Sequence, residues 1–299
     1  MKSLDELLEE NYDFLNSEEC KKEVIDFIKN NESIVKRRVD FIKRLTKIAS
    51  HILSSDPNSL DGLLERIFNF NIEGIQILEY NPPDYSDYRI QILRSHLHTH
   101  AAKVAKILFE KTDNISWLIN WYINIKTSAE ISRTLEQMHS AYCYGFAALA
   151  SRKLFKKTRR TFWAKEWYEN NKTSGNLLIR EKPIHAAYSF SFAAEASSLI
   201  YKKQKIPVEE KIFWAKRSYE NNVLCGNIIS KKDPLSSVNR FKDAGNAAEY
   251  IFRNTQDYVW LEKIIVCYKK ILNFQEINKK LREAMEKRVN HFQTLIQKK

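Results

Sequence analysis

The polar residues with the most regular spacing in this sequence are tyrosines and asparagines that recur two residues apart. A carboxamide donates and accepts hydrogen bonds at once, so a row of asparagines can hold the backbone of a bound peptide. A lysine two residues further on, present twice, can meet a carboxylate. The same row can instead join neighbouring helices, because buried polar groups are normally satisfied within the protein. The row consists of Tyr122, Asn124 and Lys126, then Tyr168, Asn170 and Lys172, and finally Tyr219 and Asn221.

A second recurring set is basic and can meet phosphates or an acidic surface. Its members are Lys111, Lys156, Lys157, Arg159, Arg160, Lys202, Lys203 and Arg253. The simpler interpretation is that cations at the C-terminal end of a helix offset its negative dipole end. The aromatic residues that would stack on bases are predicted to lie in the core, so nucleic acid is the second hypothesis, after protein.

The histidines are the candidates for a metal site. His96 and His100 share one helical face, and His139 and His185 occur in register. No carboxylate recurs with them, and a metal site normally needs three or four ligands. The sequence therefore predicts no metal site and no cofactor.

An arginine followed by a histidine resembles the signature of HEPN ribonucleases. The pairs are Arg133 with His139 and Arg180 with His185. Such a pair would place a general base beside a cation that stabilises the phosphate. Here the spacing spans the predicted loop between two helices, and a motif without its structural context is weak evidence. We therefore predict no catalytic residue.

The segment that carries these residues is repeated three times in the sequence, over residues 115–160, 161–206 and 212–257. In the second copy Trp163, Trp167, Ser174 and Leu178 fall on one face of a helix with 3.6 residues per turn. Small residues such as Ala193 follow in the second half of each copy and predict close helix crossings. Each copy is therefore predicted to form two antiparallel helices, a helix A and a helix B.

Flanking segments extend the array on both sides. Residues 59–113 resemble a longer copy, which gives four predicted hairpins over residues 59–113, 114–160, 161–206 and 207–257. Residues 1–58 form a predicted N-terminal helical segment with an acidic start, and residues 258–299 a predicted C-terminal capping helix pair. The predicted fold is all-α, a right-handed α-solenoid of about 12 to 13 helices in antiparallel pairs.

Paired helices with an aromatic residue near the start of helix A and small residues at the crossings resemble the tetratricopeptide-like superfamily of α-solenoids. The resemblance covers roughly residues 60–273, with a period of 46 rather than the superfamily's usual 34. It implies that helix A lines a concave face on which a partner binds. The row of tyrosines and asparagines would then lie on that face.

Composition favours a helical protein with an extended core. Only 6 glycines and 6 prolines occur in 299 residues, so few turns are expected. The four cysteines lie far apart and indicate reduced thiols of an intracellular protein. No stretch approaches the roughly 18 apolar residues of a membrane span, and the acidic start does not resemble a secretory signal. We expect a cytoplasmic protein with no membrane partner.

The charge is uneven along the chain. Residues 1–32 carry a net charge of −6, which leaves +18 for the remainder of a chain whose net charge is +12. A basic body favours an acidic partner, or the protein's own N-terminal segment. The sequence thus predicts a non-enzymatic scaffold that binds a peptide or protein segment along helix A. The alternative is a nucleic-acid-binding protein that uses its basic edge.

Overall fold

The computed structural model describes residues 61–80 and 88–297, and its regular secondary structure there is α-helical throughout. Ten helices follow one another in these ranges. They are α1 (Asp61–Tyr80), α2 (Tyr88–Thr112), α3 (Ile115–Ile131), α4 (Gln137–Thr158), α5 (Thr161–Leu178), α6 (Pro183–Tyr201), α7 (Val208–Ile229), α8 (Pro234–Thr255), α9 (Val259–Leu272) and α10 (Lys279–Gln297). The predicted N-terminal helical segment, residues 1–58, lies outside the described residues.

The chain forms two compact units that divide between Leu135 and Glu136. Helices α1 to α3 belong to the first unit and α4 to α10 to the second. Within each unit, every helix packs against the helices that precede and follow it in the chain. Short connections make these neighbours antiparallel. The predicted all-α solenoid of antiparallel helix pairs is therefore confirmed, while the exact hairpin boundaries stay a prediction.

Three of the helices predicted as helix B end in the same way. A threonine in the last turn donates a hydrogen bond from Oγ1 to the backbone carbonyl four residues earlier, and the residue after it adopts a left-handed backbone. The threonines are Thr112, Thr158 and Thr255, and the left-handed residues are Asp113 (φ 53°), Arg159 (φ 56°) and Gln256 (φ 55°). The tight turn into the next helix A is thus made without glycine. Helix α6, followed by the insertion around Pro207, ends in the right-handed region instead.

Small residues mark the helix crossings of the second unit, as predicted. Ala193, Ala194 and Ala244 are buried at the contacts between helices. At Gly175 an added Cβ would lie 2.7 Å from the ring of Phe190, and at Gly245 an added Cβ would lie 2.5 Å from the ring of Tyr268. Aromatic rings therefore lie directly on the backbone of the facing helix.

Aromatic pairs join successive helices A in the second unit. The ring of Tyr168 in α5 meets Trp214 in α7 edge to face at 5.1 Å, and Tyr219 in α7 meets Trp260 in α9 at 5.3 Å. Such pairs contribute about 0.5–1.5 kcal/mol each beyond the area that they bury. Each tyrosine is thus covered by a residue from the following hairpin.

The last helix, α10, is held by an apolar stripe and a polar cluster. Met285, Val289 and Phe292 are its buried residues. Arg288 donates to Glu249 at 3.0 Å and to the Tyr268 hydroxyl at 2.6 Å, and Tyr268 in turn donates to Glu249. The exposed residues of α10 are mostly charged or polar, as expected of a capping helix. Within the described ranges, no helix combines the length and apolar character that crossing a membrane requires.

Candidate binding groove

The three asparagines of the predicted row are buried. Asn124, Asn170 and Asn221 are at most 4% exposed. Each donates from Nδ2 to the backbone carbonyl one turn earlier in its own helix, at 3.0, 2.7 and 2.7 Å respectively. In the first unit, the second amide atom is also used, because Asn124 Oδ1 accepts a hydrogen bond from His98 Nδ1 at 2.9 Å.

In the second unit, the tyrosines of the row are covered by residues of the next helix A. Burial raises the pKa of Tyr168 to about 12, and the Asn221 side chain beside its hydroxyl acts in the opposite direction. Burial also raises the pKa of Tyr219, next to Cys267. Cys267 takes the position that asparagine holds in the earlier copies. These side chains therefore lie between helices, and their part in binding a partner stays a prediction.

The two lysines of the row lie over aromatic rings. Lys126 Nζ is 5.6 Å from the centre of the Tyr122 ring, and Lys172 Nζ is 5.8 Å from that of Tyr168. Lys263 makes the same contact with Tyr219 at 5.5 Å. A cation on the open face of a tyrosine that is otherwise buried is a stabilising arrangement.

An open groove of about 330 Å³ lies in the second unit between α4 and α6, two helices predicted as helix B. Its floor is the helix A between them, α5. Its walls are mainly aromatic. The floor is formed by Trp167, Asn171, Ser174 and Leu178, the α4 wall by Tyr142, Gly145, Phe146, Leu149 and Arg152, and the α6 wall by His185, Tyr188, Ser189 and Phe192.

The sequences of α4 and α6 explain why the groove walls are apolar. Each helix buries a stripe of alanine and serine against its neighbours and carries a second apolar stripe on another face. Phe146 is 52% exposed and Tyr188 58%. A helix that is apolar all round is normally buried on every side. Here one of the two stripes on each helix is open to solvent.

Small residues give the groove its depth. A Cβ added at Gly145 would meet nothing closer than Ser174 Oγ, at 3.7 Å. Ser174 and Ser189 lie opposite each other with their hydroxyl oxygens 3.3 Å apart. Asn171 donates from Nδ2 to the carbonyl of Trp167 at 3.0 Å. The groove is thus apolar in its walls, with a few polar groups near its floor.

Arg152 lies at one end of the groove and connects its three helices. Its guanidinium is 5.1 Å from the ring centre of Trp167 and 5.8 Å from that of Phe192. Nη2 donates to Glu195 Oε1 at 2.8 Å. Because both charged side chains are partly exposed, the pair adds little to stability, and its effect is to orient the guanidinium.

The sequence analysis did not find this groove. It assigned Trp167, Ser174 and Leu178 to a packing stripe, and their burial agrees with that. The missed signal is the outer stripe of the helices B, where Tyr142, Phe146 and Leu149 follow helical spacing beside the buried alanines.

The basic set of the second unit gathers at the connections from helix B to the next helix A. Lys156, Lys157, Arg159, Arg160, Lys202 and Arg253 are exposed there. Lys203 is half-buried and donates from Nζ to Arg159 O at 3.0 Å and to Thr161 Oγ1 at 2.7 Å. Lys111, in the first unit, is half-buried at the end of α2.

The prediction that aromatic residues are confined to the core is wrong at this end of the second unit. Phe162 is 57% exposed and Phe213 47%. Each precedes a buried or half-buried tryptophan in the first two turns of its helix A, so the helical turn directs the phenylalanine outwards. Sequence periodicity did not separate the two neighbouring rings.

The histidine candidates differ in their surroundings within each unit. His100 is buried, and His139 Nε2 lies 3.4 Å from Cys143 Sγ. Arg180 lies in the turn after α5, and His185 in the first turn of α6. The second arginine-to-histidine spacing therefore spans a loop, as the sequence indicated.

Comparison with known proteins adds little to this geometry. Neither a family model nor a curated protein matches the chain. Among solved structures, the chain is similar to a de novo designed helical repeat protein, with 13% identity over 87% of this chain and 99% of the other. The TM-score is 0.26, so low that the likeness adds nothing to the helices and contacts described above.

Proposed function

We propose that the chain is a helical-repeat scaffold that binds a peptide or protein segment in the groove between α4 and α6. The observation that carries the proposal is the open apolar stripe on two successive helices B, with a space of about 330 Å³ between them. Ligand pockets commonly enclose roughly 300–1,000 Å³, so this groove holds one or two large side chains.

The residue types at the groove suit protein recognition. Tyrosine, tryptophan and arginine are the residues that most often dominate binding at protein interfaces. Tyr142, Tyr188, Trp167 and Arg152 all line this groove. Arg152 and Phe192 are held in place by their mutual contact, so little freedom of these two side chains is lost on binding.

This groove differs from the surface that the sequence resemblance implies. Membership of the tetratricopeptide-like superfamily, and binding along the row from Tyr122 to Asn221, remain proposals of lower rank. The groove is ranked first because side chains of its walls, such as Phe146 and Tyr188, are exposed, whereas Asn124, Asn170 and Asn221 are buried between helices.

The test is selection of short random peptides displayed on phage against the purified full-length chain, followed by fluorescence anisotropy with the enriched peptides. Gly145→Leu fills the groove with a side chain, whereas Gly145→Ala adds a methyl group for which there is room. We expect Gly145→Leu to weaken binding at least about tenfold and Gly145→Ala to leave it nearly unchanged. Circular dichroism of both variants checks the fold.

Two results would overturn the proposal. One is a selection that enriches no sequence. The other is a set of peptides whose affinity is the same for the wild-type chain and for a folded Gly145→Leu variant.

A further inference from the structure

The connections that follow α4 and α6 lie side by side and are joined by hydrogen bonds. Lys203, after α6, donates to the carbonyl of Arg159 and to the hydroxyl of Thr161, after α4. Lys165 and Glu210, from the two helices A that begin there, form an ion pair at 2.9 Å. This end of the second unit, which we call the basic end, is therefore a continuous surface made from two hairpins.

Cations dominate the basic end. Residues 156–165 hold five of them and no acid, and residues 202–211 hold four lysines against Glu209 and Glu210. The Lys165 hydrogen bond lowers the pKa of Glu210, so this carboxylate stays ionised and paired. The exposed cations are Lys156, Lys157, Arg159, Arg160, Lys202 and Lys205. Offsetting the helix dipoles does not require so many charges, because the dipole effect falls off within the last turn.

Two exposed aromatic rings stand among these cations. Phe162 meets Trp163 edge to face at 4.8 Å, and Phe213 meets Trp214 in the same way at 5.2 Å. These contacts fix the tilt of each ring while leaving it about half exposed. The Arg217 guanidinium, which is paired with Glu220 at 3.0 Å, lies 5.0 Å from the Phe213 ring centre.

We propose that the basic end binds single-stranded nucleic acid, with the cations on the phosphates and Phe162 and Phe213 stacked against bases. Oriented aromatic rings in a positively charged surface are the usual platform for single strands. A duplex would offer phosphates but no free base faces. An anionic membrane would favour a broader apolar face of tryptophan, phenylalanine and leucine than these two exposed rings provide. This inference goes beyond the proposed function and does not depend on the α4–α6 groove.

The experiment is fluorescence anisotropy of the full-length chain with labelled oligouridine and oligothymidine. We expect binding whose affinity falls steeply as salt is raised, because phosphate contacts release counterions.

Phe162→Ala with Phe213→Ala should weaken the binding at least about tenfold. Arg159→Ala with Arg160→Ala should also weaken it and make the salt dependence shallower. The control is Leu235→Ala, which removes an exposed apolar side chain from the first turn of α8 and should leave the affinity unchanged. Oligouridine and oligothymidine together show whether RNA or DNA is preferred.

Several outcomes would overturn the inference. Absence of binding to both oligonucleotides would do so, as would an affinity that is independent of salt. Equal binding of a duplex, with no loss in the double phenylalanine variant, would show that charge alone acts. Binding to phosphatidylserine vesicles without binding to either oligonucleotide would assign the surface to membranes instead.

Discussion

Asn221 illustrates how one residue type can serve two different purposes. Its amide bonds to its own helix and lies beside the hydroxyl of Tyr168 from the preceding hairpin. The amide that could hold a peptide is thus buried at the contact between two hairpins. Regular spacing along the sequence is required for either purpose, so spacing alone does not distinguish them.

Replacing Asn221 by alanine should lower the stability of the second unit. A buried polar contact is lost, and we expect the free energy of unfolding to fall by about 1–2 kcal/mol. Asn254 makes the same hydrogen bond to its own helix, to Tyr250 O at 2.7 Å, but is exposed. Asn254→Ala should therefore change stability by less than about 0.5 kcal/mol. Urea unfolding followed by circular dichroism measures both, and equal effects would contradict the interhelical role.

At the residue scale, the sequence predicted the recurrence of these polar groups but not their surroundings. Periodicity identifies which residues share a face of one helix. It does not identify the element that covers that face, because this depends on the crossing angle and on side chains from distant positions. Tyr168 is covered by Trp214, far along the chain, and Phe162 is not covered to the same extent.

At the scale of the helices, the glycines of α4 and α5 differ in the space available for a larger side chain. At Gly145 an added Cβ fits, whereas at Gly175 it would collide with the Phe190 ring. The gain in helix propensity on replacing glycine by alanine is the same in both helices, about 0.5–1 kcal/mol. The contact with the facing helix therefore decides the sign of the net effect.

We expect Gly145→Ala to raise the midpoint of thermal unfolding and Gly175→Ala to lower it. Overpacking at a closed crossing costs about 1–3 kcal/mol, which exceeds the propensity gain. Differential scanning calorimetry of the two variants gives the comparison. A stabilised Gly175→Ala variant would mean that α5 and α6 move apart at little cost.

Much of the element pattern was accessible from the sequence. Tryptophan at the start of helix A, proline at the start of α6 and α8, and small residues at crossings all predicted the hairpins. The groove between α4 and α6 was not accessible, because both stripes of each helix B are apolar. The sequence of an apolar stripe does not predict whether a neighbouring helix will cover it.

For the second unit as a whole, each helix contacts mainly its neighbours in the chain, so stability is transmitted from one helix to the next. The terminal helix α10 covers α9 and closes the cluster of Glu249, Tyr268 and Arg288. Its loss should be felt most strongly at the adjacent helices.

A chain that ends at Asn278, and so lacks α10, should lose amide protection in a graded way. We expect the largest increase in hydrogen exchange in α9 and α8, because Phe292 no longer covers Tyr268 of α9 and Glu249 of α8 loses its contact with Arg288. Helix α4 should change least. The control is a chain ending at Gln297, which keeps all of α10. Uniform loss of protection along α4 to α9 would contradict the nearest-neighbour arrangement.

The tyrosine contacts also bear on the order in which the hairpins can complete their folding during synthesis. Tyr168 is completed by residues of α7, and Tyr219 by residues of α9, so each ring depends on a segment that is synthesised later. On the ribosome the N-terminal part of a chain emerges first. Tyr168 in α5 and Tyr219 in α7 therefore stay uncovered until the next hairpin has left the exit tunnel. Slow translation between consecutive helices A would prolong that exposure.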